Sequence, residues 1–450
     1  MRARWMTAGA GILLVAVLGA APSAAHDGGF HEVQPPPMEM QQKEFEAVAA
    51  ADAEEDSNAP RGFAPCIRGM AADTYPCDGV DMLSHLTLDD LGLSFANDMW
   101  GWTDPATKKD YALVGGTEGT AFVDISDPKR PRHVGTLPAH VLDENRPFWR
   151  DIKVHDDHAF IVSEQIPHGM QVFDLTRLRD TTGEPATFDE DAHYDGIDRA
   201  HNVAVNEDTG FAYVVGSDTC EGGLHMVDIT APASPSFAGC FAGHGYIHDT
   251  QCVIYEGPDA KYRGNEICFN SNAHRVGDGI ENRLSIVDVT EKDAPVALAR
   301  EDYAEDGYSH QGSLTADQRY FLHGDELDEV DHGVNTRTRI WDVRDLTAPD
   351  VNGTFDNETT SIDHNIYTEG SVAYASNYTS GLRVYDTSEV ASGELSEVAF
   401  FDVYPENDNA TFEGGTWSNY SHFRQKGIVA VSTMDRGLFV LQPRVSRSAN

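Results

Sequence analysis

Residues 199–230 read RAHNVAVNEDTGFAYVVGSDTCEGGLHMVDIT, and this stretch contains three apolar runs, the last of which ends in Asp228. Val, Tyr and Phe fill the runs while Gly, Asp and Asn separate them, which is the composition of short β-strands joined by turns. A histidine and a polar residue, His201-Asn202, come directly before the first run. The stretch therefore predicts three strands, with His201 at the entry of the first.

The same pattern recurs along most of the chain. Aliphatic runs that stop at an aspartate follow one another at intervals of 50, 54, 60, 54 and 44 residues. These aspartates are Asp124, Asp174, Asp228, Asp288, Asp342 and Asp386. Each unit also has an earlier apolar run and a fourth run after the turn, such as SFAGCF. Units of about 45 to 60 residues with four short strands are typical of β-propeller blades. The aspartates are interpreted as caps of the turn after the third strand.

We therefore predict an all-β fold, a seven-bladed β-propeller of four-stranded blades that spans residues 97–443. The blades are expected to begin near Asn97, Trp149, Ala200, Ile247, Ser309, Asp363 and Trp417. The last unit, RGLFVLQP, ends at its third strand. A run upstream of Asn97, such as LGLSF, is expected to supply the missing strand and close the ring, which removes an open sheet edge.

The ends of the chain differ in composition from the repeats. Residues 1–25 combine Arg2 and Arg4 with a short apolar run and small residues, which predicts a secretory signal peptide. That run is shorter than the ~20 residues of a membrane-spanning helix, so we expect a soluble protein in the periplasm or the extracellular space with no membrane span. Residues 26–62 are rich in Pro, Gln, Glu and Ala and predict a disordered acidic arm. Residues 444–450 form a tail.

The charge balance limits the partners. Lys and Arg number 32 against 74 Asp and Glu, which gives a formal net charge of -42. Such a surface repels nucleic acid and anionic lipid. We therefore expect a protein or small-molecule ligand, and no nucleic acid.

The six cysteines predict disulfides, because an even number in an exported protein is typical of them. Proximity in the chain favours Cys66–Cys77, which belongs to a short N-terminal extension at residues 63–96. The same argument pairs Cys220 with Cys240 and Cys252 with Cys268, although the pairing of these four stays open. A metal site formed by these cysteines is disfavoured, because the chain has no Cys-x-x-Cys pair.

Several stretches resemble known secreted repeat proteins. The motif FVDISDPKRP resembles the LVIVD repeat. The stretches GWTDPATKKDYALVGGTEGTAFVDISDP, WRDIKVHDDHAFIVSE, PCIRGMAADTYPCDGVDMLSHLTL and FDVYPENDNATFEGGTW resemble the bacterial family of choice-of-anchor B proteins. The resemblance covers about residues 65–443 and implies a propeller-like fold and export, but no defined chemistry. The closing RVSRSAN carries no anchor segment, so surface attachment is not expected.

Four histidines fall at one repeat position when the units are aligned on their apolar runs: His201, His248, His310 and His364. The first strand of each propeller blade lines the central channel, so these imidazoles are expected to face one axis. One hypothesis is a divalent metal site in which Asp98, Asp151 or Asp249 assists the four histidines. The other hypothesis is structural: each histidine bonds the backbone of a neighbouring blade and ties the ring together.

Other sequence features are weaker. The stretch HGDELDEVDH at residues 323–332 holds five carboxylates and is interpreted as a solvated acidic loop, with calcium binding as the alternative. Glycine-rich phosphate loops, dinucleotide fingerprints and G-x-S-x-G elbows do not occur in the sequence. The first functional hypothesis is a binding or interaction module of unknown ligand. The alternative is a metal-dependent hydrolase or oxidase whose cofactor is a divalent metal ion held by the channel histidines.

Overall fold

The computed structural model describes residues 59–141, 149–273, 282–424 and 427–445. The predicted signal peptide and most of the predicted arm at residues 26–62 lie outside these ranges, as does the end of the tail. Within the described residues, no helix is long and apolar enough to cross a membrane.

Seven sheets, each built on four antiparallel strands, form the blades of a propeller. Before blade one lie β1 (Met70–Ala71), β2 (Tyr75–Asp78), β3 (Val80–Leu86) and the short helix α1 (Leu88–Leu91). Blade one contains β4 (Ala96–Thr103), β5 (Asp110–Gly116), β6 (Gly119–Asp124) and β7 (Arg132–Pro138). Blade two contains β8 (Arg150–His155), β9 (His158–Ser163), β10 (Met170–Asp174) and β12 (Ala192–Tyr194), while β11 (Ala186–Thr187) extends the outer edge of blade one.

The remaining blades follow in chain order. Blade three contains β13 (Asn202–Asn206), β14 (Phe211–Val215), β15 (Leu224–Asp228) and β16 (Ser236–Phe241). Blade four contains β17 (Asp249–Ile254), β18 (Glu266–Asn272), β19 (Arg283–Asp288) and β20 (Val296–Asp302). Blade five contains β21 (Ser309–Leu314), β22 (Tyr320–Asp325), β23 (Arg337–Asp342) and β24 (Asp350–Asp356), with the helix α2 (Asp328–His332) between β22 and β23.

Blade six contains β25 (Ile366–Glu369), β26 (Val372–Ser376), β27 (Leu382–Asp386) and β28 (Ser396–Phe401). Blade seven contains β29 (Thr416–Tyr420), β30 (Val429–Thr433) and β31 (Gly437–Pro443). Among the described residues, three short 3-10 helices lie in connections: Leu175–Asp180, Cys220–Gly222 and Val390–Ser392. The prediction of seven four-stranded blades is confirmed, and each first strand begins within three residues of the expected position.

The core lies between neighbouring blades. One cluster joins Leu113 and Phe122 of blade one to Ile152, Ile161 and Phe173 of blade two, all of them buried. Because both faces of a blade pack against its neighbours, the second and third strands of each unit read as continuous apolar runs.

The repeat aspartates end the third strands and cap the following turn, as predicted. In each case a carboxylate oxygen accepts a hydrogen bond from the backbone N–H two residues later. The donors are the N–H groups of Ser126, Thr176, Thr230, Thr290, Arg344 and Ser388, at 2.8 to 3.0 Å. This local bond turns the chain toward the fourth strand.

The strand that closes the ring is β3, which pairs antiparallel with β31. A run upstream of Asn97 thus closes the ring, as expected, but the run is not LGLSF. Leu91 ends α1, and Gly92 terminates that helix in a left-handed conformation with φ of 70°. The closing strand lies at the outer edge of blade seven, whereas β4 lies at the axis, three strand spacings of ~4.8 Å away. Residues 87–95, which include LGLSF, cross that distance between β3 and β4 and therefore do not form the closing strand.

Three disulfides join Cys66–Cys77, Cys220–Cys240 and Cys252–Cys268, the pairs that proximity favours. Cys77 lies on β2, which pairs with β28 of blade six, while β3 completes blade seven. The N-terminal extension is therefore held to two neighbouring blades. Disulfides fit a protein of the periplasm or the extracellular space.

Candidate metal site in the axial chamber

The first strands of the blades stand side by side around the axis, and each contacts the next. The four predicted histidines lie at or just before the beginning of β13, β17, β21 and β25. Their rings form a continuous row in which neighbouring planes are tilted against each other: the centroids are 4.2 Å apart from His201 to His248, 4.2 Å from His248 to His310 and 4.3 Å from His310 to His364. The structure thus brings together the imidazoles that repeat alignment placed at one position.

Two of the rings are tied to neighbouring blades. His248 Nδ1 lies 2.9 Å from the carbonyl oxygen of His310, and His364 Nδ1 lies 2.5 Å from that of Trp417. Since a carbonyl only accepts, both Nδ1 atoms carry the proton and both Nε2 atoms keep a lone pair. Metal-binding histidines are usually oriented by such a bond to the other ring nitrogen. The structural tie and a metal site are therefore compatible.

The other two histidines differ. His201 Nδ1 lies 2.7 Å from Glu164 Oε1. His310 Nδ1 is buried and has no hydrogen-bond partner among the residues that the structure describes. The backbone tie that one hypothesis expected in all four blades is thus present at only two of the histidines.

A glutamate that the sequence analysis did not select lies against the row of channel histidines. Glu326 is buried, with one oxygen 3.8 Å from His310 Nε2 and the other 3.9 Å from His364 Nε2. Its Oε1 accepts a hydrogen bond from the Tyr378 hydroxyl at 2.7 Å. One donor atom each from His248, His310 and Glu326 lie within 4.8 Å of one another. This is the set around the channel histidines that best fits a single ion.

Burial is the main influence on the protonation of the four channel histidines. It lowers the pKa of His248 and His310 well below the usual range, with each neighbouring imidazole adding to the effect, and lowers that of His364 to about 3. Burial also opposes a charge on His201, but the hydrogen bond and charge of Glu164 raise the pKa of that histidine. Burial raises the pKa of Glu326 to about 7, against the hydrogen bond from Tyr378. Three neutral imidazoles are thus available as ligands.

The predicted aspartates form a second cluster, around Lys153. The ammonium nitrogen of Lys153 lies 2.5 Å from Asp151 Oδ1 and 3.4 Å from Asp98 Oδ2, and it stands over the Trp100 ring at 4.6 Å. Burial raises the pKa of Asp98 well above its usual range and that of Asp249 to about 7, in both cases against the charge of Lys153. Asp151 also accepts the backbone N–H of Val203 at 2.6 Å. The carboxylates of Asp98 and Asp151 are therefore already paired with the ammonium group of Lys153.

Two neighbouring spaces lie at the two clusters. A chamber of about 20 Å³ is lined by the four histidines and by Asp98, Asp151, Lys153 and Asp249, among others. That volume suits one water molecule or ion. A funnel of about 590 Å³ opens on the other side of Lys153, Asp249 and Tyr367, which line both spaces. Its size falls in the range of about 300 to 1,000 Å³ that is usual for small-molecule sites.

A shared position could have identified the missed glutamates. Glu164 and Glu326 each come directly after the second strand of a blade, β9 and β22. The end of a second strand lies beside the beginning of the first strand of its antiparallel pair, where the histidines are. In blades one, three, four, six and seven the corresponding residue is Thr117, Gly216, Ala273, Asn377 or Met434.

The interpretation of HGDELDEVDH as a solvated loop is wrong. Asp325, Glu326, Asp328 and Glu329 are at most 6% exposed. The loop folds against blade five, where Tyr303 and the backbone N–H groups of residues 307 and 308 donate hydrogen bonds to Asp325.

Comparisons with known proteins concern the repeat and the fold. The model of the LVIVD repeat family matches residues 198–242, which correspond to blade three. No curated protein sequence matches the chain.

Solved structures with a similar arrangement include the WD40 repeats of RRP9, with a TM-score of 0.49, 9% identity and coverage of 78% of this chain and 94% of that chain. U3-55K gives a TM-score of 0.49 at 8% identity, over 78% of this chain and 95% of that one. A protein from Lactobacillus plantarum gives 0.46 at 13% identity, over 75% and 88%. The seven four-stranded sheets and the family match in blade three show that the chain is a seven-bladed β-propeller that contains an LVIVD repeat.

Proposed function

We propose that this chain is an exported binding module whose axial chamber holds one divalent transition-metal ion. The primary ligands are His248 and His310, which line the chamber, and Glu326, which lies against them, and the observation that carries the proposal is that one donor atom from each of these buried residues lies within 4.8 Å of the other two. His364 is the fourth donor, and His201 is linked to the site by the contact of its ring with that of His248. The chain is assigned to the choice-of-anchor B family on the sequence motifs, and the three disulfides support export.

The donor atoms suit this ion class. Imidazole nitrogen together with carboxylate oxygen favours Zn, Cu, Fe or Ni. An ion with bonds of about 2.0 to 2.2 Å joins two ligands that are no more than about 4.4 Å apart. The gaps of 3.8 and 3.9 Å from Glu326 to His310 and His364 lie within that limit and exceed the length of a hydrogen bond. Asp98 and Asp151 support the site by holding Lys153 at its edge, and Asp249 lines the chamber beside them.

The funnel supplies the binding surface. A small polar ligand that enters it reaches Lys153, Asp249 and Tyr367, the three residues that separate the funnel from the chamber. Because these three residues line both spaces, a ligand bound against them in the funnel lies close to the metal. This arrangement also favours the alternative function, a metal-dependent hydrolase or oxidase. Turnover of esters, phosphoesters or thiols by the metal-loaded protein, lost when His248 and His310 are replaced, would support the alternative.

Metal binding to the full mature chain, produced without a histidine tag and stripped with chelator, tests the proposal. Titration with Zn²⁺ and with Co²⁺ is expected to show about one tight equivalent, and Co²⁺ is expected to give the visible absorption of a nitrogen-ligated ion. The double variant His248→Gln/His310→Gln should lose this equivalent while remaining folded by circular dichroism. His158→Gln is the matched control, because that ring lies at the far end of β9 and bonds the Asp156 carbonyl.

Two results would refute the proposed site. One is a folded wild-type protein that binds neither ion below millimolar concentration. The other is a double variant that retains the Co²⁺ spectrum, which would place the metal outside the chamber.

A further inference from the structure

A second cluster of ligand atoms lies in the part of HGDELDEVDH that is buried against blade five. Asp328 and Glu329 of α2 meet Asp363, which precedes β25, and the three side chains belong to residues that are 0%, 3% and 5% exposed. One carboxylate oxygen from each lies within 4.8 Å of the other two. None of these residues belongs to the proposed transition-metal site.

Four carboxylate oxygens of this cluster lack hydrogen-bond donors, whereas Glu329 Oε1 accepts the backbone N–H of Arg337 at 3.2 Å. Among the described residues, no group donates a hydrogen bond to Glu329 Oε2, Asp363 Oδ1 or either oxygen of Asp328. A buried carboxylate oxygen without a partner is strongly destabilising, since it loses water and gains nothing in return. Three such oxygens, beside a fourth (Asp328 Oδ2) that has only an ion pair, indicate a missing positive partner.

The neighbouring cation does not balance the charge. Arg339 Nη1 lies 2.9 Å from Asp328 Oδ2, in an ion pair without the alignment of a hydrogen bond. One guanidinium thus stands against the carboxylates of Asp328, Glu329 and Asp363, and against the adjacent Asp325. A divalent cation would offset most of the remaining negative charge.

We propose that Asp328, Glu329 and Asp363 bind a Ca²⁺ ion. The donor set is entirely oxygen, which favours hard cations over Zn or Cu. Ca²⁺ accepts six to eight oxygens in flexible geometry, which three carboxylates and water can provide, whereas Mg²⁺ requires a near-ideal octahedron. The ion would also fix the loop that carries Glu326, two residues before Asp328.

Terbium luminescence and calorimetry on the full chain test this site. The background is the His248→Gln/His310→Gln variant, so that the chamber cannot contribute. After treatment with chelator, Ca²⁺ is expected to bind with one equivalent, to displace Tb³⁺ and to raise the melting temperature, and Mg²⁺ at equal concentration is expected to have a smaller effect.

Substitutions on the same loop locate the ion. Asp328→Asn with Asp363→Asn should weaken Ca²⁺ binding by at least 100-fold, and the single substitution Glu329→Gln should weaken it by at least tenfold. Asp331→Asn is the matched control, because this carboxylate is on the same helix but exposed, and it should bind Ca²⁺ like the parent.

The opposite outcomes would overturn the proposal. They are a folded parent that binds no Ca²⁺ or Tb³⁺ at millimolar concentration, or a loss of binding in Asp331→Asn equal to that in Glu329→Gln. In the first case the cluster consists of carboxylic acids that share protons. Because the chamber histidines are already replaced, neither outcome bears on the proposed transition-metal site.

Discussion

The four channel histidines share a repeat position but not a set of hydrogen-bond partners. Alignment of the repeats predicted that the rings meet, because a propeller places equivalent residues of successive blades around one axis. The alignment did not predict that Glu326 joins them, since that residue reaches the chamber through the loop after β22. Nor did it predict that Asp98 and Asp151 turn to Lys153, a cation two residues along β8 from Asp151. Partners of this kind come from tertiary contacts and not from the repeat.

Tyr378 is expected to position the carboxylate ligand. Its hydroxyl donates to Glu326 Oε1 at 2.7 Å, and loss of such an outer hydrogen bond typically lowers metal affinity by about 10- to 100-fold. Tyr378→Phe should therefore raise the dissociation constant for Co²⁺ by that factor and shift the visible spectrum, with the fold intact. Tyr385→Phe is the control, because its hydroxyl bonds Asn357 and Asn377 of the same region instead. Equal affinity in the two variants would contradict the role of Tyr378.

His85 is expected to make stability depend on pH. The ring is buried on β3, stacks on Phe439 at 4.0 Å and lies 2.5 Å from the Arg436 carbonyl through Nε2. Burial lowers its pKa to about 4; the carbonyls of Arg436 and Pro60 oppose this, and the charges of Arg436 and Arg61 add to it. Between about pH 6.5 and 4 the unfolded chain therefore binds a proton that the folded chain does not. Stability falls as pH falls through this window.

The variant His85→Gln isolates this contribution. Urea unfolding at pH 7, 5.5 and 4.5 should show that the wild-type free energy of unfolding falls more steeply than that of the variant. The difference in slope should amount to about 3 kcal/mol over the whole window. His158→Gln should keep the wild-type slope. Parallel curves for wild type and His85→Gln would show that His85 does not control this transition.

At the scale of elements, local patterns predicted the repeated strands and their capped turns, but not the closing strand. The strand β3 contains a bulge between Met82 and Ser84, which interrupts the alternation that identifies a strand. The burial of the acidic loop at residues 323–332 is also missing from the local pattern. Its composition is that of a surface segment. The hydrogen-bond donors that allow its burial come from Tyr303 and from residues 307 and 308, and Arg339 on β23 adds a positive charge.

The turn caps can be tested in blade three. Asp228 Oδ1 accepts from the backbone N–H of Thr230 at 2.9 Å and from its hydroxyl at 2.6 Å. Asp228→Ala should lower the free energy of unfolding by about 1 kcal/mol, because an acceptor in an exposed turn is lost. Asp228→Asn keeps an acceptor oxygen and should recover most of that loss. If the alanine and asparagine variants melt together below wild type, charge and not capping is the cause.

At the scale of the whole molecule, the ring explains why so much of the architecture was predictable. Seven units of similar length specify the same four strands repeatedly, and the incomplete last unit requires a strand from the other end of the chain. The function is less predictable, because it depends on the few positions where blades differ: histidines in four blades, glutamates after two second strands, and an acidic helix in one. Those differences are small in sequence, but the symmetry brings them to one axis.

The full chain carries a formal net charge of -42, and this excess of carboxylates predicts a dependence of stability on salt. Repulsion among like charges destabilises a folded state more than an expanded one. Screening shortens from about 30 Å at 0.01 M to about 10 Å at 0.1 M salt. The melting temperature should therefore rise by several degrees between 0.01 and 0.2 M NaCl, with Ca²⁺ held constant so that the proposed carboxylate site does not change occupancy. NaSCN should give a similar rise over this range, because screening depends on ionic strength and not on ion identity. A rise with NaCl alone would indicate a specific salt effect, and a flat response would show that the buried pairs and raised carboxyl pKa values already neutralise the fold.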